Sequence, residues 1–162
     1  VNLTPYKVLR VSLSGMTSGN TNNAFFRIRL GSNNAAPITT TTYNHYTYGA
    51  VISGNNFNGV TAASNTSWRL IDRFGLYANA VSNSATAGGF SGVYTIYSFN
   101  TAQKTKITGS HVYEDAGGRL QFSGFEGGQS GQTIMNSIWI DSNTSSTNVG
   151  TFSGTIFVEG MI

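Results

Sequence analysis

The segment Phe152-Ser-Gly-Thr-Ile-Phe-Val-Glu-Gly-Met-Ile162 contains the clearest fold signal in the chain. Apolar residues in it alternate with small or polar ones, and a period of two is typical of a β-strand with one buried face. The alternating apolar residues are Phe152, Ile156, Val158 and Ile162. The pattern predicts that this segment is a strand held in a sheet, with Phe157 and Met161 as exceptions to the alternation.

Strand patterns recur along the rest of the chain, separated by loop signals rich in Gly, Asn and Ser. The predicted strands cover residues 6–14, 24–30, 38–48, 67–71, 74–78, 92–99, 104–114, 119–125, 133–141 and the terminal segment. Residues 53–56 and 124–131 are predicted loops, and 114–118 a hairpin turn. No window has sustained helical periodicity. We therefore expect one all-β domain over residues 1–162, a two-sheet antiparallel β-sandwich of jelly-roll-like topology.

Composition narrows the possible functions. Only 9% of the 162 residues are charged, against about a quarter in typical soluble proteins, and Asn, Ser, Thr and Gly take their place. Such surfaces suit extracellular or particle-borne β-proteins. The net charge is +3, but the basic residues are scattered, and the pairs Arg27/Arg29 and Lys104/Lys106 are interpreted as solvent faces of strands. No nucleic-acid partner is therefore predicted.

Other features exclude further classes of protein. The chain has no cysteine, which rules out disulfides, thiolate metal sites and cysteine nucleophiles. No apolar stretch is long enough for a membrane-spanning helix, so no membrane insertion is predicted. Because the sequence begins at Val1 and enters a strand almost at once, we expect it to be either a processed chain or, as we favour, the C-terminal part of a longer protein.

Few residues are candidates for catalysis. Glu114 and Glu126 could meet across a hairpin as the carboxylate pair of a small polysaccharide hydrolase, although solvated strand ends explain them more simply. His45 and His111 would need a converging carboxylate to bind zinc, and packing explains them better. No nucleophile-elbow or phosphate-loop motif is present. The sequence predicts a protein that is not an enzyme and has no cofactor and no metal.

Four segments carry a resemblance to a known family. They read Leu3-Thr-Pro-Tyr-Lys-Val-Leu-Arg10, Phe25-Phe-Arg-Ile-Arg-Leu-Gly31, Tyr43-Asn-His-Tyr-Thr-Tyr48 and the terminal segment 152–162. In this order they resemble the β-sandwich module at the C-terminal ends of tailed-bacteriophage structural proteins. The resemblance implies a non-enzymatic role on the virion surface as capsid decoration, head spike or tail fibre, often as a homotrimer in contact with other virion proteins.

One strand combines aromatic rings with a side-chain amide, in Tyr43, Asn44, Tyr46 and Tyr48. Sugars stack their apolar ring faces on aromatic residues, while their hydroxyl groups bond to amides. Tyr46 and Tyr48 share parity and so project from one face of the strand. If that face is solvated, it is a candidate contact for a host-surface glycan or a protein partner. If it is buried, these residues belong to the core or to a subunit interface.

A second candidate surface concerns oligomerisation. Alternation points Phe25, Phe157 and Met161 away from the core, and exposed apolar residues usually mark an interface. We interpret them as contacts of a homotrimer. The favoured function is thus a virion surface protein for capsid decoration or fibre-tip adhesion. A carbohydrate-binding, lectin-like module of a secreted protein is the alternative.

Overall fold

A computed structural model describes residues 3–18, 25–32, 37–38, 42–51, 54–65, 67–70, 89–114, 120–131, 134–143, 149–150 and 152–162. For several strand residues, among them Phe25 and all of 54–65, it describes the backbone alone. The predicted strand at 74–78 and the turn at 115–118 lie outside the described residues.

The described residues form strands and no helix. The strands are β1 (Val8–Ser18), β2 (Phe25–Gly31), β3 (Tyr43–Val51), β4 (Gly54–Asn65), β5 (Trp68–Arg69), β6 (Phe90–Tyr97), β7 (Lys106–Glu114), β8 (Leu120–Gln129), β9 (Ser137–Asn143), β10 (Val149–Gly150) and β11 (Phe152–Met161). The all-β prediction is confirmed.

The strands form two antiparallel sheets. The large sheet has the order β11-β1-β6-β7-β8-β3-β4, and the small sheet the order β10-β9-β2-β5. The chain leaves the large sheet after β1, β4 and β8 and returns to it at β3, β6 and β11. These repeated crossings confirm the jelly-roll-like two-sheet sandwich.

The terminal segment forms the strand that the sequence predicts. β11 lies at one edge of the large sheet and pairs with β1, from Val8 opposite Met161 to Ser18 opposite Phe152. Ile156 and Val158 pack against the core from this edge. Alternation alone was sufficient to identify this strand, because one of its faces is buried and the other is not.

The core lies between the sheets and is rich in aromatic rings. Phe26 of the small sheet packs against Phe90 and Phe152 of the large one, with ring centroids 5.4 and 6.0 Å apart. Tyr43 and Trp68 meet edge to face at 5.4 Å. The Leu30 N–H donates to Tyr43 Oη at 2.9 Å, so this tyrosine joins the sheets by packing and by a hydrogen bond.

Two predicted loops are wrong. β4 begins at Gly54 and pairs with β3 over most of its length, although residues 53–56 are rich in Asn and Gly. β8 continues to Gln129 through the glycine-rich run, because β3 and β7 pair with it on both sides. Hydrogen bonds to neighbouring strands outweigh weak strand propensity in both places.

Arg27 and Arg29 are not solvated, contrary to the interpretation from sequence. Arg27 Nε and Arg29 Nη2 each donate to one carboxylate oxygen of Asp141 on the adjacent strand β9. The three side chains are only 12–15% exposed. One carboxylate thus pairs with two guanidinium groups in a partly dehydrated cluster.

Candidate ligand-binding face

The face of the large sheet that points away from the small sheet is called the outer face below, and it exposes several large apolar side chains. Several polar side chains of β3, β7 and β8 point inward and are at most 6% exposed, namely His45, Thr47, His111, Gln121 and Ser123. Large apolar side chains point outward and are 39–58% exposed, namely Tyr46, Val93, Tyr97, Leu120, Phe122, Phe157 and Met161. Exposed apolar surface of this extent usually marks an interaction site.

Tyr46 and Tyr48 form an aromatic pair on this face. Their rings stack with centroids 5.7 Å apart and planes 28° apart. Tyr46 is 42% exposed, and Tyr48 is half-buried because its ring lies on Gly124 of β8. A Cβ atom on Gly124 would come within 2.4 Å of Tyr48 Cζ. The missing side chain at Gly124 therefore sets the position of the Tyr48 ring.

The four residues of the predicted aromatic site divide between the two faces of β3. Asn44 and Tyr46 are exposed, Tyr48 is half-buried, and all three point to the outer face. Tyr43 has the opposite parity and is completely buried against Trp68. Its assignment as a contact residue is wrong, since its ring and hydroxyl group are both used in the core.

A shallow groove of about 720 Å³ crosses the outer face beside Tyr48. One wall is a cross-strand row of Val93, Ser110, Gly124 and Tyr48. The other wall is the row of Ser91, Val112 and Phe122. Between these rows lies a third, Leu13-Gly92-His111-Ser123-Gly49, whose side chains point inward. Groove residues therefore come from five adjacent strands.

His111 is buried beneath this groove and is electrically neutral at ordinary pH. Burial lowers the pKa of His111 from 6.5 to about 3. A hydrogen bond of 2.9 Å joins its Nδ1 to Tyr94 Oη, and its ring lies 5.1 Å from that of Phe90. This arrangement suits a structural histidine, and no group of three or more potential metal ligands occurs within the described residues.

The hydrolase hypothesis fails on geometry. Glu114 lies opposite Leu120, whereas Glu126 lies opposite Thr108 at the other end of the β7–β8 hairpin. Six residues of strand separate the two positions, a distance of about 20 Å. Paired glycosidase carboxylates are separated by about 5–10 Å, so these two glutamates do not form such a pair.

The structure describes the side chains of two of the three residues predicted as oligomer contacts. Phe157 and Met161 are 58% and 49% exposed and point to the outer face of the edge strand β11. The side chain of Phe25 lies outside what the structure describes. Phe157 and Met161 therefore share a surface, and Phe25 cannot be assigned to it.

Sequence reasoning missed the groove, and Phe122 in particular. A usable signal was present in Leu120-Gln-Phe-Ser123, where apolar residues alternate with polar ones. The alternation puts Leu120 and Phe122 on one face of the strand and Gln121 and Ser123 on the other. These four residues alone do not decide which of the two faces is buried. The buried Phe125 decides this, because it lies on the same face of the strand as Gln121 and Ser123. Phe122 therefore points outward.

No protein-family model matches this chain, and no curated protein or solved structure matches it either. In the part of the chain that the structure describes, no helix is long and apolar enough to span a membrane.

Proposed function

We propose that this protein is a non-enzymatic adhesion module displayed on a bacteriophage particle, where its outer face binds a host-surface glycan. The observation behind this function is the apolar surface of the outer face, where aromatic rings such as Tyr46 and Phe122 are turned to solvent. Such local conflict with the usual pattern is expected at functional sites. The placement on a virion rests on the four sequence segments that resemble phage structural proteins.

The stacked Tyr46/Tyr48 pair is the element best suited to a sugar. Sugar rings have apolar faces that stack on aromatic rings, and the exposed Asn44 supplies an amide on the same strand. Because Tyr48 is held on Gly124, little side-chain entropy is lost when a ligand binds. Capsid decoration without glycan binding is a weaker proposal than adhesion, because it assigns no function to the stacked rings of Tyr46 and Tyr48.

Tyr46→Ala is expected to weaken binding to bacterial surface polysaccharides by tenfold or more, because it removes a stacking ring. The matched control is Tyr97→Ala, since Tyr97 is on the same face with the same exposure of 42% but on β6. Binding is measured on an array of purified lipopolysaccharides and capsular polysaccharides. Equal losses in the two variants, or no binding by the wild type, would contradict the proposed site.

Location is tested by immunogold electron microscopy of phage particles from the source, with antibody raised against this protein. Label at the tail or at sparse spikes is expected for an adhesion module. Label over the whole head would instead favour capsid decoration. Unlabelled particles would overturn the virion assignment and favour the secreted lectin-like module, which shares the glycan chemistry.

We further propose that the protein is a homotrimer that buries the exposed apolar residues of β11. Phe157→Ser is expected to shift the assembly from trimer to monomer in sedimentation equilibrium at micromolar concentration. Val93→Ser removes a similar exposed apolar group from central strand β6 and serves as the control. A monomeric wild type, or an unchanged mass for Phe157→Ser, would refute the role of this surface.

A further inference from the structure

The outer groove is elongated and runs across several strands of the large sheet. Its two walls are rows of residues two positions apart along the strands, so the centres of these rows are about 7 Å apart. From Val93 on β6 to Tyr48 on β3 it crosses three inter-strand spacings, or about 14 Å. Its volume of about 720 Å³ is in the usual range for ligand sites.

The chemistry of the groove is neutral. Of the described residues that line it, none is Asp, Glu, Lys or Arg. Val93, Val112 and Phe122 provide apolar walls, and exposed Ser110 provides a hydroxyl group in the middle. The buried histidine beneath it is uncharged. A ligand that fits must therefore combine apolar faces with hydroxyl groups and carry no charge where it lies in the groove.

The groove continues directly from the aromatic pair. Tyr48 stacks on Tyr46 at one side and forms the end of one groove wall at the other. A ligand bound on Tyr46 can thus extend past Tyr48 toward Val93 without leaving the surface. The edge strand β11 with Phe157 lies two strands beyond β6, so the part of the groove from Tyr48 to Val93 ends before that edge.

We propose that the groove binds a neutral, extended saccharide whose chain runs across the strands from Tyr46 and Tyr48 to Val93. This inference rests on the proposed function and specifies its ligand: an uncharged run of several sugar rings. Stacking at the tyrosine pair holds one end, and the groove holds the rings that follow. Affinity therefore depends on chain length, which a site confined to two tyrosines does not require.

The test uses ladders of neutral oligosaccharides with one to six hexose or N-acetylhexosamine units, titrated calorimetrically into the full chain. We expect the affinity of at least one ladder to rise tenfold or more between one and four units. Ser110→Trp, which fills the centre of the groove, is expected to abolish that increase while keeping the weak binding of short ligands. Lys106→Trp is the control, because Lys106 is exposed on the same strand and face but about 13 Å away.

The possible failures are distinguishable. If neutral ladders bind with an affinity that does not depend on length or on Ser110→Trp, the groove inference is wrong and the tyrosine site remains. If only acidic polysaccharides bind on the array, the neutral ligand is wrong. If neither ladders nor polysaccharides bind, both proposals fail. If Ser110→Trp or Phe122→Ser dissociates the oligomer, the groove is an interface between copies of this chain and the inference is overturned.

Discussion

Asp141→Ala is expected to lower the free energy of unfolding by about 3–5 kcal/mol, the usual cost of removing one partner from a buried ion pair. Arg27 and Arg29 would then face each other without a counter-charge, at 12% and 15% side-chain exposure. Partly dehydrated guanidinium groups cannot relieve this repulsion by losing their charge. The loss is measured by urea denaturation.

Two comparison variants make this result specific. Asp141→Asn keeps the shape and one acceptor oxygen, so we expect a smaller loss than with alanine. Glu159→Ala breaks the ion pair between Glu159 and Arg10. The distance from Arg10 Nη1 to Glu159 Oε2 is 3.7 Å, and both side chains are about half exposed. An exposed pair of this kind contributes about 0–1 kcal/mol. Similar losses for Asp141→Ala and Glu159→Ala would contradict the buried character of the Asp141 cluster.

Acidification below about pH 6.5 is expected to destabilise the protein through His111. Burial lowers the pKa of His111 from 6.5 to about 3. Between these two pH values His111 is therefore protonated in the unfolded chain but not in the folded protein. The contribution of His111 to the free energy of unfolding is present above pH 6.5 and decreases as the pH falls toward 3. We expect a loss of about 2 kcal/mol between pH 7 and pH 5.

The measurement is the free energy of unfolding in urea at several pH values, with His111→Gln as the matched variant. Glutamine retains hydrogen-bonding capacity beside Tyr94 but does not titrate. The variant is expected to be less stable at pH 7 and to lose most of the slope between pH 7 and pH 5. An unchanged slope in His111→Gln would show that His111 is not the responsible group.

Local alternation was enough to predict the strands whose inward positions are consistently apolar. β11 and β1 are of this kind, because Ile156, Val158, Leu9 and Val11 all point to the core. β4 could not be predicted in the same way. Its sequence is mostly Gly, Asn and Ala, which have low strand propensity, and it becomes a strand because β3 offers it a row of backbone hydrogen bonds.

The candidate site was predictable only in part. Parity within 43–48 already places Tyr43 on the opposite face from Tyr46 and Tyr48, so the four residues could not form one surface, but parity does not say which face is buried. The groove could not be predicted, because it depends on the register that brings Val93, Ser110 and Gly124 into one row across three strands. The pairing of Asp141 with two arginines 112 and 114 positions away is also a consequence of register that no local pattern contains.

The most direct test of the ligand-binding face is an amide NMR titration of the folded protein with a polysaccharide fragment that it binds. We expect shift changes concentrated on β3, β8, β7 and β6, with the largest around Tyr48, Gly124 and Ser110, and little change on the small sheet around Ile28. Changes concentrated on the small sheet, or confined to the edge strand β11, would show that the glycan binds elsewhere and that the outer face has another role.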